Sequence, residues 1–242
     1  MEVWNGFECE KFVFDGKNAI AVLPKKANGG WLIKTEYWGA FPALEIEMLK
    51  RGYALAYIEN ETRFATFADC KRKSEFAYFM AEKYGLSSKC IPIGYSCGGA
   101  HAVNFAGFFP ENVCCMLIDA PVLNFCDYPG RLPADRCEGV WENEFVKAYP
   151  GVTRAGLLDS FLFHPLNRIK ALQENQIPII MLYGTEDKTV NYKMNGRLLE
   201  LEYEKYPDLL TVIPREYQGH HPHGTVWNMG GLADLLCEKS RG

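Results

Sequence analysis

The sequence contains nine cysteines but no pair with the C-x-x-C spacing. Structural zinc sites usually use cysteines paired in this way, so we expect no metal site. Disulfide frameworks are typical of short, cysteine-dense secreted chains, and this chain is long with mostly scattered cysteines. We therefore expect free and mostly buried thiols, which indicates a reducing, cytoplasmic location.

The sequence also lacks long apolar runs, a basic excess and the glycine-rich nucleotide motifs. It has no stretch of about 18 apolar residues, which a membrane span would need. Its first ten residues, with three glutamates, do not resemble a secretory signal peptide. A net charge of −4 offers little to a phosphate backbone, and neither G-x-G-x-x-G after the first strands nor G-x-x-x-x-G-K-S/T occurs. We expect no membrane and no nucleic acid as a partner.

What the sequence does contain is an alternation of apolar strands and helical patterns along 242 residues. The Asp15-Gly16 turn predicts a hairpin between strands at 12–14 and 18–23. Further strands are predicted at 31–34, 53–58, 89–93, 113–118, 177–183 and 210–213, and helices at 41–51, 69–84, 97–109, 192–206 and 223–239. Strands separated by helices predict the α/β class. We expect one domain, 1–242, with a mostly parallel central sheet and helices on both faces.

One interval is much longer than a single crossover helix requires. Fifty-nine residues separate Ile118 from Pro178, and they are rich in proline, glycine, arginine and aromatic residues. Long insertions on such sheets usually form lids or binding loops. We predict a lid insertion at 120–165 that shapes a binding pocket. The alternative is a subdomain that only covers apolar surface.

The most specific motif is Gly94-Tyr95-Ser96-Cys97-Gly98-Gly99, which contains G-x-S-x-G between a predicted strand and a predicted helix. In this context a serine occupies a sharp, strained turn that lifts its hydroxyl clear of the sheet. The helix behind it directs backbone N–H groups at a developing negative charge. We predict that Ser96 is a nucleophile and that the N–H of Cys97 is the first oxyanion donor. The Cys97 side chain is expected to act only sterically.

A nucleophilic serine needs a general base, and the base needs an acid that orients it. Asp187 follows a late predicted strand and is the expected acid, with Glu186 as the competing carboxylate; helix capping is the alternative role for Asp187. Three of the five histidines cluster after the last predicted strand, in Gly219-His220-His221-Pro222-His223. We predict His220 as the base, with His221 as the second choice, rather than a metal site.

The loop Thr35-Glu36-Tyr37-Trp38-Gly39 follows the third predicted strand, where a second oxyanion donor is expected. We predict the N–H of Tyr37 for this role. Trp38 and Tyr95 are expected to line the substrate pocket, with ordinary packing as the alternative for Trp38. Arg63 follows another strand at the carboxyl edge of the sheet, where ligands bind in open α/β sheets. It is predicted to contact substrate or to form a surface salt bridge.

Together these residues resemble the α/β-hydrolase superfamily over nearly the whole chain. Residues 94–98, Asp187 and His220 match its nucleophile, acid and base positions in the same chain order. The segments 35–42, 95–99 and 219–224 are also similar to compact serine esterases that occur beside carbohydrate-degrading enzymes, and to the catalytic domains of prolyl-oligopeptidase-like hydrolases. The resemblance implies an α/β-hydrolase fold. The chain departs from the lipase pattern because it has no His-Gly-Gly-Gly sequence in the oxyanion loop.

From the residues and the resemblance we expect a serine hydrolase that cleaves carboxylic esters through an acyl-enzyme and needs no cofactor. The aromatics of the insertion favour a small-molecule sugar or aryl ester, such as an acylated oligosaccharide, as the substrate. One alternative is a peptidase or amidase of prolyl-oligopeptidase-like type, although such peptidases usually carry a large N-terminal domain. The other is a non-catalytic ligand receptor with the same fold. The sequence leaves the oligomeric state open.

Overall fold

A computed structural model describes residues 2–128, 139–159, 161–220 and 226–241. Within these ranges the strands are β1 (Glu2–Trp4), β2 (Phe7–Phe14), β3 (Lys17–Leu23), β4 (Trp31–Lys34), β5 (Ala54–Ile58), β6 (Ile91–Tyr95), β7 (Met116–Asp119), β8 (Ile179–Gly184) and β9 (Leu210–Arg215). They form one sheet in the order β1-β2-β3-β5-β4-β6-β7-β8-β9. The pairs β1–β2, β2–β3 and β3–β5 are antiparallel, and the other pairs are parallel. The predicted mostly parallel sheet is confirmed.

Helices cover both faces of this sheet, as predicted. In the described ranges they are α1 (Ala43–Lys50), α2 (Phe67–Tyr84), α3 (Cys97–Phe108), α4 (Val146–Ala148), α5 (Arg154–Asp159), α6 (Ile169–Glu174), α7 (Gly196–Glu202) and α8 (Met229–Lys239). One apolar core joins the sheet to α2, α3, α6 and α7, and a second joins its other face to α1 and α8. None of these helices is long and apolar enough to cross a membrane.

The edge hairpin differs from the sequence prediction. The strand predicted at 12–14 is only the end of β2, and neither β1 nor residues 7–11 of β2 is predicted, because Glu8, Glu10 and Lys11 interrupt the apolar pattern. These residues are exposed because the two strands pair only with each other and with β3 at the rim of the sheet. An edge strand needs little apolar surface, so its sequence carries a weak strand signal.

The predicted helix at 192–206 is broken in the structure. A 3₁₀ turn at Tyr192–Met194 precedes α7, and Asn195 between them has φ −128° and ψ −89°. The fully buried side chain of Asn195 accepts the N–H groups of Leu123 (2.8 Å) and Asn124 (2.9 Å), and it donates to Asp127 Oδ2 (2.9 Å). These bonds attach residues 123–127 to the segment just before α7 and accompany the non-helical conformation of Asn195.

The closing helix begins later than predicted. Residues 226–228 are not helical, and α8 starts at Met229 after Asn228, whose side chain accepts the N–H of Gly231 (2.8 Å). An asparagine in this position is a favourable N-cap, so the local sequence sets the start. Residues 221–225, with His221 and His223, lie outside the described ranges.

The interval at 120–165 contains short helical pieces, and residues 129–138 and 160 of it lie outside the described ranges. Its aromatic residues form a third apolar cluster beside α3. Trp141, Phe145 and Phe125 pack together there with Phe64, and Cys97 from the first turn of α3 belongs to the same cluster. The described residues of this interval that belong to the cluster therefore lie against the end of α3 that follows Ser96.

Candidate active site

Ser96 lies in the turn between β6 and α3 with φ 54° and ψ −118°. A positive φ costs a non-glycine residue roughly 1–3 kcal/mol, so it persists only where the surroundings hold it. Here the Ser96 N–H donates to Asp119 O (3.0 Å), and Ser96 O accepts the N–H groups of Gly99 and Val122 (both 2.9 Å). These bonds fix a strained turn whose serine remains partly exposed.

Two glycines allow the strand and the helix to approach closely at this turn. A Cβ at Gly94 would lie 2.4 Å from Gly98 O, and a Cβ at Gly99 would lie 2.3 Å from Pro121 Cβ. Neither distance is possible for real side chains, so both positions require a residue without one. Packing thus explains Gly94, the first glycine of the motif, and Gly99, which follows it, whereas at Gly98 a Cβ would meet Glu36 Cβ and Thr35 Oγ1 at 3.2 Å.

His220 and Asp187 complete a hydrogen-bonded line to Ser96. His220 Nε2 lies 3.0 Å from Ser96 Oγ, and His220 Nδ1 lies 2.8 Å from Asp187 Oδ2. Burial alone raises the pKa of Asp187, but the bonds from His220 and from the N–H groups of Val190 and Thr189 hold it below its usual range. An ionised Asp187 accepts the Nδ1–H, which leaves the Nε2 lone pair facing the serine hydroxyl. Glu186, the competing carboxylate, is exposed.

The loop that carries Asp187 and the loop that carries His220, the proposed base, meet over the end of β8. A Cβ at Gly184 would lie 2.3 Å from Gly219 O and 2.4 Å from Gln218 O, so the base loop crosses Gly184 in contact with its Cα. The N–H of Glu186 donates to Gln218 O (2.9 Å), which joins the two loops directly. The separation of Asp187 and His220 therefore depends on a strand end without a side chain.

The predicted oxyanion donors lie on two different elements. The N–H of Cys97 is the first of α3, directly after Ser96. Tyr37 has a φ of 57°, and its carbonyl accepts the N–H of Ala40 (3.0 Å), which closes a tight turn after β4. Burial raises the pKa of the Cys97 thiol to about 11, so the thiol stays protonated and a thiolate nucleophile is disfavoured.

The partly buried side chain of Asn60 connects the loop that contains Tyr37 to α2. Asn60 Nδ2 donates to Thr35 O (2.7 Å) and to the Glu36 carboxylate, and Lys73 donates to Asn60 Oδ1. His101, fully buried in α3, lies 3.3 Å from Lys73 Nζ. Burial raises the pKa of Glu36, and Asn60, Lys73 and the Tyr37 N–H oppose that rise. The loop is thus held to both α2 and α3.

The structure does not bring Tyr95 and Trp38 to the site in the way that sequence analysis predicts. Tyr95 is completely buried on the α1 face of the sheet, with Lys34 Nζ 3.6 Å from its ring centre, so it has no access to substrate. The reason is strand alternation, which points the residue before Ser96 away from the site. The Trp38 ring packs between Trp4 (5.2 Å) and Tyr57 (5.6 Å), which is the packing alternative.

Arg63 forms an ion pair with the insertion. Its Nε and Nη2 donate to Glu144 Oε2 (2.7 Å) and Oε1 (2.5 Å), a two-bond arrangement that fixes both side chains. Cys97 and Tyr37 lie near the same guanidinium, so the pair stands next to the proposed oxyanion loop. Both partners are about one-third exposed.

A polar cavity of about 400 Å³ opens beside this ion pair. Its lining consists of Glu36, Tyr57, Glu59, Asn60, Glu61, Thr62, Arg63, Asn143, Glu144 and Lys147. Most of these side chains carry carboxylate, amide or cationic groups, so the cavity suits a ligand group rich in hydrogen-bond donors and acceptors. Its inner wall includes Glu36, the residue before Tyr37.

Sequence analysis did not single out one charged pair beneath the site. Asp119 ends β7 and Arg215 ends β9, and their side chains are joined at 2.6 Å while almost completely buried. In the sequence, the pair is indicated only by a charged residue at the end of each mostly apolar strand, Met-Leu-Ile-Asp and Thr-Val-Ile-Pro-Arg. Within the described ranges, no group of three or more histidine, cysteine, aspartate or glutamate residues is arranged to hold a metal ion.

Comparisons with known proteins agree on the architecture. No protein-family model matches the sequence, and no curated protein is detectably similar to it. Among solved structures, an α/β hydrolase enzyme, MGS-MChE2, from the sediment metagenome of the Mar Chica lagoon superposes with a TM-score of 0.59 at 16% identity, over 95% of this chain and 96% of that one. The chain has the α/β-hydrolase fold. The α/β-hydrolase fold that the resemblance implies is confirmed.

Two further structures with this fold are similar to the chain. Est1E from Butyrivibrio proteoclasticus matches with a TM-score of 0.65 at 13% identity, over 97% of this chain and 99% of its own. A puromycin-hydrolyzing peptidase of Mycobacterium tuberculosis matches with a TM-score of 0.75 at 11% identity, over 98% of this chain. The chain spans 39% of the length of that peptidase. The α/β-hydrolase fold is thus found both in proteins of this size and within larger ones.

Proposed function

We propose that this protein is a serine hydrolase that cleaves carboxylic esters, with Ser96 as the nucleophile, His220 as the general base and Asp187 as its orienting acid. The observation that carries the proposal is the line of two hydrogen bonds from Asp187 through His220 to Ser96 Oγ. It ends on a serine held at positive φ at the start of a helix. Nucleophile, base and orienting acid within hydrogen-bond reach are the geometric signature of activated serine nucleophiles.

In the proposed first half-reaction, His220 Nε2 takes the proton of Ser96 Oγ as that oxygen attacks the ester carbonyl carbon. Asp187 stabilises the imidazolium through its bond to Nδ1–H. The carbonyl oxygen becomes an oxyanion beside the N–H of Cys97, and the Tyr37 N–H, which contacts the Glu36 carboxylate, would turn toward it as the second donor. The alkoxide then leaves with the proton from Nε2. Water attacks the acyl-enzyme by the same route, which releases the acid and restores the Ser96 hydroxyl.

For the substrate we propose a small acyl or aryl ester of a carbohydrate, recognised partly by the insertion at 120–165 acting as a lid. The polar cavity beside Arg63 supports a leaving group with many hydroxyls, because its wall offers carboxylate, amide and guanidinium groups. The Arg63–Glu144 pair connects that wall to the insertion.

A peptidase or amidase is the second candidate, and the similarity to the puromycin-hydrolyzing peptidase favours it. Amide hydrolysis demands more of His220, since an amine leaves only with a proton from the general acid. Aminoacyl p-nitroanilides measured beside matched p-nitrophenyl esters distinguish the two candidates. A higher kcat/KM for the anilides would contradict the ester assignment.

The test of the proposed chemistry is hydrolysis of p-nitrophenyl acetate, butyrate and octanoate by the wild type and by Ser96→Ala. We expect turnover by the wild type and loss of at least about 10³-fold in Ser96→Ala. Ser87→Ala is the matched control, because Ser87 precedes β6 at the opposite end of the sheet and should leave turnover unchanged. Equal activity of the wild type and Ser96→Ala would refute the nucleophile.

Labelling separates an unusual substrate from a non-catalytic receptor. A fluorophosphonate should modify Ser96 in the wild type and nothing in Ser96→Ala. A protein that is labelled but turns over neither esters nor anilides would support the receptor alternative instead.

A further inference from the structure

The ion pair of Asp119 and Arg215 is buried beneath the candidate active site. The Asp119 side chain is 0% exposed and the Arg215 side chain 3%, and Arg215 Nη2 donates to Asp119 Oδ1 at 2.6 Å. Burying two charges costs several kcal/mol per ion, and a hydrophobic pair of similar size is often at least as stable. Stability is therefore a weak reason for the pair, and its position suggests another one.

The backbones of the same two residues hold the three catalytic loops. Asp119 O accepts the N–H of Ser96 (3.0 Å). Arg215 O accepts the N–H of Thr185 (3.1 Å), at the start of the acid loop, and the N–H of Gln218 (3.2 Å), in the base loop. One ion pair thus links the strand end that holds the nucleophile to the strand end that holds the acid and base loops.

The register of the sheet shows that the Asp119–Arg215 pair spans from β7 to β9. Asp119 on β7 lies opposite Leu182 on β8, whereas Arg215 on β9 lies opposite Gly184 on β8. The two residues are therefore separated by a whole strand, and β8 ends in a glycine that offers no side chain between them. The Asp119 and Arg215 side chains bridge this strand directly.

Two neighbours make the surroundings of the pair both charged and enclosed. Lys34 and Glu45 form a second buried ion pair on the same face, and Tyr95 lies among these groups. Lys34 Nζ also donates to Ala40 O (3.1 Å), in the turn that holds Tyr37. In a low-dielectric environment such bonds are strong and geometrically restrictive.

We propose that the Asp119–Arg215 pair is a positioning device that sets the separation of Ser96 from the acid and base loops. The inference rests on the proposed serine-hydrolase function. Both side chains are almost completely buried and have no access to substrate, so both are positioning residues. Loss of the pair should misplace His220 relative to Ser96 without altering the pocket, which lowers kcat and leaves KM nearly unchanged.

The decisive variant is Asp119→Leu/Arg215→Met, which replaces the pair with apolar side chains and leaves no unpaired buried charge. We expect kcat for p-nitrophenyl acetate to fall about 10- to 100-fold, because misplacement by about 1 Å costs up to about 10²-fold. KM should stay within about threefold, and the rate of fluorophosphonate labelling at Ser96 should fall with kcat. Arg215→Lys, which keeps the charge, should recover part of the lost kcat.

Arg72→Met is the matched control, since it also breaks an ion pair, with Asp15 and Asp69, but in α2 away from the site. It should retain wild-type kcat. Wild-type kcat in a folded Asp119→Leu/Arg215→Met variant overturns the proposal, and so does an equal loss in Arg72→Met. If the apolar variant does not fold, Arg215→Gln, which is shorter and uncharged, takes its place, and wild-type kcat in that folded variant overturns the proposal as well. An inactive, unlabelled wild type would instead refute the underlying function.

Discussion

Gly184→Ala is the sharpest test of how the base loop is placed. The added Cβ would lie 2.3 Å from Gly219 O and 2.4 Å from Gln218 O, where ordinary contact begins at 3.4 Å. The obstacles are backbone atoms, so the loop must move by about 1 Å, and His220 is the next residue. A displacement of this size costs on the order of 10²-fold in kcat, or about 2.7 kcal/mol in the barrier.

Gly219→Ala is the matched control for this substitution. Gly219 also precedes His220 directly, but a Cβ there meets nothing within 4 Å. We expect kcat within about threefold of wild type in Gly219→Ala, since surface changes without steric conflict have small effects. The assay is steady-state hydrolysis of p-nitrophenyl acetate with Tm measured in parallel. Wild-type kcat in Gly184→Ala, or an equal loss in both variants, would refute the reasoning.

Four further predictions concern the proposed acid, the interval at 120–165 and its anchor Asn195. Asp187→Asn should lower kcat by about 10³- to 10⁴-fold, through the wrong histidine tautomer. Because the pKa of Asp187 is lowered in the folded state, its stabilising contribution is present above about pH 4 and is lost as pH falls through that lowered value. Denaturant titrations between pH 5 and 2 should therefore show a shallower loss of stability in Asp187→Asn, and an unchanged slope would contradict this. Asn195→Ala removes the buried hydrogen bonds to the insertion and should cost about 2–4 kcal/mol of unfolding free energy, whereas exposed Asn175→Ala should cost less than about 0.5 kcal/mol. Glu144→Gln should raise KM for a bulky sugar ester by no more than about fivefold, since ion pairs that are about one-third exposed contribute about 1 kcal/mol or less. The same variant should leave KM for p-nitrophenyl acetate unchanged, and a change with both substrates would argue against a lid role.

Most of the fold was predictable because buried parallel strands have strong sequence patterns. The strands β5 to β9 are short apolar runs, and the helices between them have apolar faces at helical spacing. The exceptions have local causes. The strand β1 and the first part of β2 are largely exposed at the rim of the sheet. The helix predicted at 192–206 is interrupted by Asn195, whose hydrogen bonds reach residues about 70 positions away in the chain. No local pattern carries such a contact.

Some residues of the candidate site could be predicted from the sequence and others could not. Ser96, Asp187 and His220 were selectable from the sequence because each follows a strand end, and parallel strand ends meet at one edge of the sheet. The prediction that Tyr95 lines the pocket is wrong because β6 extends to Tyr95, beyond its predicted end at residue 93. Tyr95 therefore follows the alternation of the strand, which directs its side chain into the buried face of the sheet. The ion pair of Asp119 and Arg215 was not visible, because its members are 96 residues apart.

The sequence by itself determined the α/β architecture, the strained serine turn and the chain order of the three residues proposed for catalysis, since these depend on local periodicity and on glycine at fixed positions. Only the tertiary structure decided which carboxylate faces His220, how the insertion joins the site and which buried charges hold the loops together. Those outcomes depend on side chains that are distant in sequence and meet only when the sheet is assembled. The 2.8 Å bond from His220 to Asp187 and the 2.6 Å bond from Arg215 to Asp119 are set by the register of neighbouring strands, and register is a property of the whole fold.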